Sequence, residues 1–326
     1  MNDGLRVPGD VVAALERAPG RALMLGHVHP DADVLGTLLA IGEALRAGGW
    51  SVVAGGPHPA PGALSFLPGV EGYEVLKTLD GRFDVTVLTD CPNPDRTEGL
   101  IEAAKRVSPV VVNIDHHPDN RRYGTVNWID VGAAATGEMV YRLLTALGAT
   151  LTPSIAMNLF TAVHTDTGSF RYSNVTPETF EIAAALTTAG ARPDVVSSAL
   201  YERRAPDALR MLGESLARVQ VSDDGRVAWL ALPAGAVPDR FIESEELVNY
   251  PRSIGSVKVA CLLRELGGGR VKVSLRAKGD VDVNTIAAGF GGGGHANAAG
   301  FTASGALDAV TRRVLEAVSA ALAARR

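Results

Sequence analysis

Short apolar runs alternate with helix-like stretches along the first half of the chain. Four of these runs are strand candidates, at residues 21–26, 51–54, 84–89 and 109–114. They are apolar on both faces, which is typical of a parallel sheet covered by helices on its two sides. Helical periodicity occupies residues 34–46, 97–107 (with Thr97 as its cap), 133–147, 153–163 and 177–189. The alternation predicts a doubly wound α/β domain.

The second half predicts a smaller α/β domain built from hairpins. Residues 218–221 and 226–232 flank one turn, and residues 256–266 and 270–276 flank a run of three glycines. A closing helix is expected over 307–323. We therefore expect an N-terminal domain over 1–191, a helical linker over 192–217 and a C-terminal domain over 218–326.

Composition narrows the class of protein. With 46% hydrophobic residues and a net charge of −5 over 326 residues, the chain is not globally disordered. The two cysteines, Cys91 and Cys261, cannot form a disulfide framework, which indicates a reducing compartment. Cys91 is expected to be a small buried hydrophobe. No long apolar run and no leader at Met1 is found, so we predict a cytoplasmic protein that does not enter the membrane.

The charge balance limits the nucleic-acid partners. The 36 acidic residues outnumber the 31 basic ones, and no dense basic run precedes the terminal Arg325-Arg326 pair. Tight binding of long duplex DNA is therefore disfavoured, because each phosphate contact needs a lysine or arginine. A short or mononucleotide ligand stays open, since bound divalent cations could neutralise the aspartates.

Four segments concentrate histidine and aspartate: residues 26–33 (GHVHPDAD), 88–90 (LTD), 114–117 (IDHH) and 164–168 (HTDTG). The first three come directly at the ends of strand candidates. Since ligands of open parallel sheets bind beyond the carboxyl ends of the strands, these segments should meet at one edge. Any one of them alone could be a solvated loop or a strand-end cap, and their joint placement favours a site.

Imidazole and carboxylate ligands together suit Mn²⁺, Zn²⁺ or Fe²⁺ better than Ca²⁺. Enough ligands are present for two ions bridged by a carboxylate, an arrangement that favours phosphoester hydrolysis. His29 and His164 each lie two residues from a candidate ligand and are given no ligand role.

A glycine run, GFGGGGH at residues 289–295, marks the C-terminal domain. Consecutive glycines allow left-handed backbone and can form an anion nest, and a flexible loop is the alternative. On the preceding strand candidate, Ser274 and Arg276 share one face, and Arg276 could bind a phosphate bidentately. No Gly-Lys-Ser/Thr follows, so the run is not a Walker loop.

Taken in order, these motifs resemble those of the DHH phosphoesterases that carry the DHH-associated C-terminal domain. The residues that carry the resemblance are His27-x-x-x-Asp31-x-Asp33, Asp90, Asp115-His116-His117, Asp166-Thr167-Gly168 and Gly292-Gly293-Gly294-His295. Their spacing is most similar to the NrnA-type branch of nanoRNases and 3′-phosphoadenosine 5′-phosphate (PAP) phosphatases, from about residue 21 to 320. Two departures are conservative: Ala32 replaces a commoner glycine, and Thr37 stands where serine is frequent.

The resemblance implies two Mn²⁺ ions, with Mg²⁺ or Co²⁺ as alternatives. One ion would be held by His27, Asp31 and Asp90, and the second by Asp33, Asp90, His116 and Asp166. Asp115 and His117 would be catalytic, Asp115 by orienting the ligands and His117 by contacting the scissile phosphate or the leaving group. Residues implied in substrate binding are Ser274, Arg276, Gly293, Gly294 and His295.

The implied activity is hydrolysis of short oligonucleotides (nanoRNA, pApA) to 5′-mononucleotides and of PAP to AMP, by hydroxide attack at a two-metal site in the cleft between the domains. The partners would be short RNA or DNA oligonucleotides and mononucleotide bisphosphates. Apolar helix faces between residues 133 and 189 leave a homodimer open.

Four rival functions stand beside the implied activity. Related proteins of this architecture hydrolyse cyclic di-AMP, and RecJ-like enzymes degrade longer single strands, although they usually carry domains for which this chain has no room. A nucleotide-binding sensor without catalysis is disfavoured by the complete set of site residues. A family II pyrophosphatase is disfavoured because it lacks the Gly-Gly-Gly-His segment.

Overall fold

The computed structural model describes residues 7–236 and 247–323. The chain divides into two units, Met1–Glu202 and Arg203–Arg326. The division falls inside the stretch for which a helical linker was expected. Two helices occupy that stretch, one in each unit.

A six-stranded parallel sheet forms the centre of the first unit. Its strands are β1 (Arg21–Leu25), β2 (Ser51–Gly56), β3 (Tyr73–Val75), β4 (Val85–Thr89), β5 (Val111–Asp115) and β6 (Val126–Ile129). They are arranged in the order β3-β2-β1-β4-β5-β6, and every neighbouring pair is parallel. The predicted doubly wound sheet is thus confirmed. The strand order reverses direction between β1 and β4, and such a switch point is where this class of sheet opens a ligand crevice.

The described residues of this unit form seven α-helices: α1 (Gly9–Leu15), α2 (Ala32–Ala47), α3 (Leu100–Val107), α4 (Thr136–Ala146), α5 (Pro153–Asp166), α6 (Pro177–Thr188) and α7 (Pro193–Tyr201). Thr152 caps α5, and Thr176 and Thr179 form a capping box at α6. In the parts of the chain that are described, no helix combines the length and apolar character needed to cross a bilayer.

The predicted start of α3 was wrong. The segment Pro94–Thr97 forms a 3₁₀ helix of its own, and Gly99 (φ +84°) is the N-cap of α3. The left-handed backbone at Gly99 separates the two helical turns. The Thr97 hydroxyl still accepts a hydrogen bond from the Ile101 amide at 3.2 Å. Thr97 thus binds an amide of the first turn of α3, although it is not the N-cap residue.

Both faces of the parallel sheet are buried. Along β1, Ala22 and Met24 pack with α2, α4 and α5, whereas Leu23 and Leu25 pack on the other face with α3. Cys91 is fully buried in that second cluster, as predicted. Strands β3 and β6 were not predicted, because they are edge strands of only 3 and 4 residues and give no periodic signal.

The second unit has its own six-stranded sheet. Its elements are α8 (Pro206–Leu216), β7 (Gln220–Val221), β8 (Val227–Leu232), α9 (Asn249–Ser253), β9 (Val259–Gly267), β10 (Arg270–Ala277), α10 (Val283–Ala288), β11 (Gly293–His295), β12 (Ala298–Ser304) and α11 (Leu307–Ala323). The order is β11-β12-β10-β9-β8-β7. Only the β8–β9 pair is parallel within the described part of the sheet.

Both predicted hairpins of the second unit are present, as β7–β8 and β9–β10, and α11 covers the predicted range. Alternate residues of β10 face opposite sides of the sheet. Val273 and Leu275 pack in the cluster that contains α10 and α11. Helix α10 was missed because it has only 6 residues. Strands β11 and β12 were missed because their sequence is dominated by glycine and alanine.

Close contact between α2 and α5 brings two parts of the motif set together. Helix α2 begins beside Asp31 and Asp33, and α5 ends at Asp166. The contact depends on Gly36, where an added Cβ would lie 2.4 Å from the Asn158 carbonyl oxygen and 3.2 Å from the Ala162 Cβ. Absence of a side chain at Gly36 therefore sets the spacing of helices that carry candidate site residues.

Alanine substitution at the two glycines inside α2 should have opposite effects. Gly36→Ala should lower the free energy of unfolding by about 1–3 kcal/mol, because the Asn158 backbone must move. At Gly42 the nearest atom to an added Cβ is a Val52 methyl at 3.4 Å. Gly42→Ala should therefore raise the free energy of unfolding by about 0.4–1 kcal/mol. Urea unfolding of both variants measures this, and equal changes would contradict the packing argument.

Candidate metal centre

His27 lies two residues beyond the end of β1 and is fully buried. Its Nδ1 is 2.8 Å from the Val28 carbonyl oxygen, so Nδ1–H donates to that oxygen and Nε2 keeps its lone pair. Nε2 is buried and has no hydrogen-bond partner among the described residues. Burial, and then the charge of Arg96, lower the pKa of His27 to about 3. The ring is therefore neutral, which is the form that binds a metal.

Asp31 and Asp33 are held at the start of α2 by backbone amides. Asp31 is the N-cap, and its Oδ1 accepts from the amides of Asp33 and Val34, each at 3.1 Å. Asp33 is buried and accepts from the amides of Thr136 (2.7 Å) and Gly137 (2.8 Å) at the start of α4. A carboxylate at a helix N-terminus is stabilised by the helix dipole. Each carboxylate keeps lone pairs that a cation can use.

Asp90 follows β4 directly, with φ +51°. This left-handed conformation is uncommon for a residue with a side chain and is frequent at functional sites. The Asp90 amide donates to the Ile114 carbonyl at 2.9 Å, so the strained residue stays tied to β5. Its Oδ1 lies 3.3 Å from both His116 Nε2 and His117 Nδ1.

Asp115 ends β5 and is fully buried. Its Oδ1 accepts from the His117 amide (3.1 Å) and from His117 Nδ1–H (2.8 Å). Its Oδ2 accepts from the Asn120 side chain. These bonds fix the turn that follows the strand. Asn120 was missed by the sequence analysis, since no motif distinguishes it from any asparagine in a loop.

The His116 ring lies edge to face with the His117 ring, and the two centroids are 5.0 Å apart. His116 Nδ1 lies 3.0 Å from the Ala133 carbonyl oxygen, which accepts the Nδ1 proton. Its Nε2 lies 3.3 Å from a carboxylate oxygen of Asp90 and 3.3 Å from one of Asp166. A metal-ligating histidine usually donates the proton of one ring nitrogen to a carbonyl or carboxylate oxygen, and its other ring nitrogen binds the metal. His116 has this arrangement, with Nε2 as the nitrogen that could bind.

Among the described residues of the first unit, three groups of side chains could each hold an ion, since the ligand atoms of each group lie within 4.8 Å of one another. The groups are His27, Asp31 and Asp90; Asp33, Asp90 and His116; and Asp90, Asp115 and His117. Asp90 belongs to all three, and Asp166 approaches the second through His116. The structure thus brings together every first-unit residue that the motifs had singled out.

The electrostatics of the cluster fit divalent cations. Burial, and then the neighbouring Asp90, raise the pKa of Asp33 well above its usual range. Burial acts to lower the pKa of His116, but Asp90 and Asp166 outweigh it and raise that pKa to about 10. Protons are therefore retained within the cluster, on groups such as Asp33 and His116. Divalent cations can displace these protons and supply the same positive charge, and the nitrogen and oxygen donors suit them.

Three other histidines of the first unit belong to none of these groups. His29 and His58 lie edge to face with ring centroids 4.4 Å apart, and His58 Nε2 is 3.3 Å from Glu98 Oε1. His164 packs against Phe160 and Phe170, and its Nε2 is 3.1 Å from the Ser169 hydroxyl.

In the second unit, Ser274 and Arg276 lie on β10. Ser274 is buried and is paired across the sheet with Leu262 and Gly300. Both residues alternate with the core residues Val273 and Leu275 and so share the opposite face. Arg276 Nη1 donates to the Leu275 carbonyl at 3.0 Å.

The glycine run is partly a strand. Gly293–His295 form β11, an edge strand paired with β12. At Gly292, an added Cβ would lie 2.2 Å from the Gly300 carbonyl oxygen. At Gly294, it would lie 2.5 Å from the Ala298 carbonyl oxygen. Pairing between strands therefore requires two of the glycines. The sequence analysis allowed a flexible loop here, but residues 293–295 form an edge strand instead. Edge strands in general present backbone N–H and C=O groups on their outer side.

Comparison with known proteins identifies the family of the chain. Residues 21–164 match the N-terminal domain of the DHH family, and residues 241–324 match the DHHA1 domain. A Thermus thermophilus protein named bifunctional oligoribonuclease and PAP phosphatase NrnA is 37% identical over 321 residues, which are 96% of this chain and 93% of that protein. The chain belongs to the DHH phosphoesterase family. It is therefore a hydrolase, and its C-terminal domain is of the DHHA1 type.

Two further comparisons cover most of the chain. The Bacillus subtilis protein of the same name is 26% identical over 284 residues, which are 84% of this chain and 86% of that protein. The crystal structure of an exopolyphosphatase-related protein from Bacteroides fragilis has a TM-score of 0.83 at 26% identity, covering 96% of this chain and 94% of that one. The expected family resemblance and α/β fold class are confirmed.

Substitution of Asp90 should weaken every ion site at once. Asp90→Asn should lower the affinity for Mn²⁺ by at least the roughly 10–100-fold that loss of a supporting partner costs. Asn also tolerates the left-handed backbone at this position. Isothermal titration calorimetry gives the affinity and the number of ions, and circular dichroism checks the fold.

Asp95→Asn is the matched control, because Asp95 is an exposed aspartate of the same connection, five residues along the chain. It should leave Mn²⁺ binding unchanged. Unaltered binding in Asp90→Asn would show that this carboxylate is not shared between sites.

Proposed function

We propose that this chain hydrolyses short oligonucleotides to 5′-mononucleotides and PAP to AMP, using two divalent cations. The observation that carries the proposal is the shared position of Asp90, which lies between the His27–Asp31 pair and the Asp33–His116 pair. The relatives named oligoribonuclease and PAP phosphatase support the substrate class. Their names cover both a phosphodiester and a phosphomonoester.

The candidate ligands divide between two ions. His27 Nε2 and Asp31 would hold one ion, Asp33, His116 and Asp166 the other, and Asp90 both. When bound, such ions lower the pKa of water and neutralise charge on phosphoryl oxygens. The backbone amides that hold Asp31 and Asp33, and the carbonyls that hold the His27 and His116 rings, keep the donors in place before ions arrive.

His117 is the proposed catalytic side chain. Its Nδ1 proton is bound by Asp115, which fixes the tautomer and the plane of the ring. Asp115 is in turn held by Asn120 and acts as a positioning residue. We assign to His117 contact with the scissile phosphate or donation of a proton to the leaving oxygen.

Manganese is the proposed ion, with magnesium and cobalt as alternatives. The candidate set contains two histidines, and imidazole nitrogen suits Mn²⁺ or Co²⁺ better than Mg²⁺, which favours oxygen ligands and retains water. A comparison of the three metals under one assay belongs to the first characterisation of the protein.

The second unit is proposed to bind the part of the substrate that does not react. Arg276 has no carboxylate partner within the described residues, so its guanidinium is available to a phosphate. Ser274, Gly293, Gly294 and His295 are assigned to the same role. Recognition of a terminal nucleotide would explain a preference for short chains.

A substrate panel tests the proposed function. Purified protein with Mn²⁺ is given PAP, pApA, a longer single strand, cyclic di-AMP and pyrophosphate, and the products are separated by chromatography. We expect AMP from PAP and from pApA, with slow attack on the long strand. The Asp115→Ala/His116→Ala double variant is the control for contaminating activity.

The panel also separates the rivals. Processive degradation of the long strand would replace the proposed function with that of a single-strand exonuclease. Faster turnover of cyclic di-AMP than of pApA would replace it with that of a cyclic dinucleotide phosphodiesterase.

Arg276→Ala should affect substrate binding and not metal binding. Loss of a charged hydrogen bond to phosphate should raise KM for pApA about 10-fold or more, while calorimetry finds the same Mn²⁺ affinity. Arg270→Ala, at the exposed other end of the same strand, is the control and should leave both unchanged. Parallel loss of metal and substrate binding would contradict the assignment.

A further inference from the structure

Arg96 lies beside the candidate metal centre, on the 3₁₀ helix that follows β4. Its Nη2 is 3.2 Å from His27 Nδ1. That ring nitrogen already donates its proton to the Val28 carbonyl at 2.8 Å, a distance at which two unprotonated acceptors would repel each other. His27 therefore cannot accept a hydrogen bond from Arg96 at the same time. The Arg96 guanidinium therefore contacts His27, and its N–H groups gain no hydrogen-bond acceptor from that ring.

Two acidic residues close to Arg96 in sequence are engaged elsewhere. Asp95 Oδ2 lies 3.2 Å from Arg121 Nη1, and Glu98 Oε1 lies 3.3 Å from His58 Nε2.

A third carboxylate, Asp31, has its pKa raised to about 6 by burial, and the charge of Arg96 opposes this rise without an ion pair between the two side chains. Among the described residues, no carboxylate is within ion-pair distance of Arg96. A half-buried guanidinium without an anion is costly unless a ligand supplies one.

The backbone around Arg96 is rigidly held. Its carbonyl accepts from the Val28 amide at 2.8 Å, which ties the 3₁₀ helix to the loop that carries His27. The Asn93 side chain caps the start of the turn, and the Thr97 hydroxyl donates to the Pro94 carbonyl at 2.8 Å. None of these bonds uses the arginine side chain. The frame thus positions a cation next to the metal ligands, as a preorganised binding group requires.

We propose that Arg96 binds the phosphate group that is hydrolysed, as a substrate-contacting cation beside the metal ions. The inference rests on the proposed phosphoesterase function and adds a residue that the motifs did not identify. A planar guanidinium can donate two parallel N–H groups to two non-bridging oxygens, which a point charge such as lysine cannot do. It would stabilise the charge on those oxygens as the leaving oxygen departs.

Arg96 and Arg276 should then differ in substrate dependence. Arg96 would contact the reacting phosphate, which every phosphoester has. Arg276 would contact a phosphate or nucleotide that does not react. Bis(p-nitrophenyl) phosphate has only the reacting phosphate, so its hydrolysis should depend on Arg96 and should depend less on Arg276 than the hydrolysis of pApA does.

The experiment uses the full chain with Mn²⁺ and the variants Arg96→Ala and Arg96→Lys. For Arg96→Ala, we expect kcat/KM to fall on the order of 10²–10³-fold for pApA and for bis(p-nitrophenyl) phosphate. Arg96→Lys should restore only part of this. Arg121→Ala is the control, because Arg121 is an exposed arginine paired with Asp95 in the same region, and its rates should match those of the wild type.

Two binding measurements separate substrate contact from support of His27. In calorimetry, Arg96→Ala should bind Mn²⁺ as the wild type does, and should bind inorganic phosphate at least about 10-fold more weakly. Loss of Mn²⁺ binding in step with activity would overturn the proposal, since Arg96 would then act by positioning His27. Unchanged phosphate binding and turnover would also overturn it.

The two proposals fail separately. A wild-type protein that cleaves bis(p-nitrophenyl) phosphate in an Arg96-dependent manner, and leaves PAP and pApA intact, would overturn the proposed substrates and support the role of Arg96. An Arg96→Ala variant that cleaves pApA as well as the wild-type protein does would overturn the role of Arg96 alone.

Discussion

Crowding of carboxylates around Asp90 is the constraint on which the candidate centre depends. Three groups of potential ligands share this one side chain, and its backbone is held in a left-handed conformation by a hydrogen bond to the next strand. Like charges so close together must be compensated by protons or by cations. Burial, and then Asp90, raise the pKa of Asp33, and the pKa of His116 is also raised, so bound protons compensate the charge here. Metal ions would compensate the same charge and would also support phosphoester hydrolysis.

The fold meets this constraint by using helix ends as well as strand ends. Asp33 belongs to α2, yet its carboxylate accepts from the first amides of α4. The Gly36 contact keeps α2 close to α5, whose last residue is Asp166. Three helices are thereby coupled to the switch point between β1 and β4. The spacing of the candidate ligands therefore depends on how these helices pack. A substitution in the core that moves a helix would also move the ligands that it carries.

The distribution of positive charge is consistent with the proposed action of this acidic protein on short oligonucleotides. The chain has a net charge of −5 and no basic stripe, so long nucleic acids gain little from it at a distance. Two arginines are at candidate binding positions, Arg96 beside the candidate ligands and Arg276 on β10 of the second unit. A few fixed contacts are sufficient for a short substrate, whose affinity does not depend on many phosphates.

Short apolar runs along the chain were enough to predict the central strands β1, β4 and β5. Because parallel strands have their carboxyl ends at the same edge, the sequence also predicted that His27, Asp90 and the Asp115–His117 segment lie at one edge of the sheet. Other features of the site depend on contacts between distant parts of the chain. The tertiary structure placed Asn120 behind Asp115, left Arg96 without an ion-pair partner among the described residues, and turned the glycine run into an edge strand. Each depends on which distant atoms come within about 3 Å of one another, a distance that no residue pattern along the chain specifies.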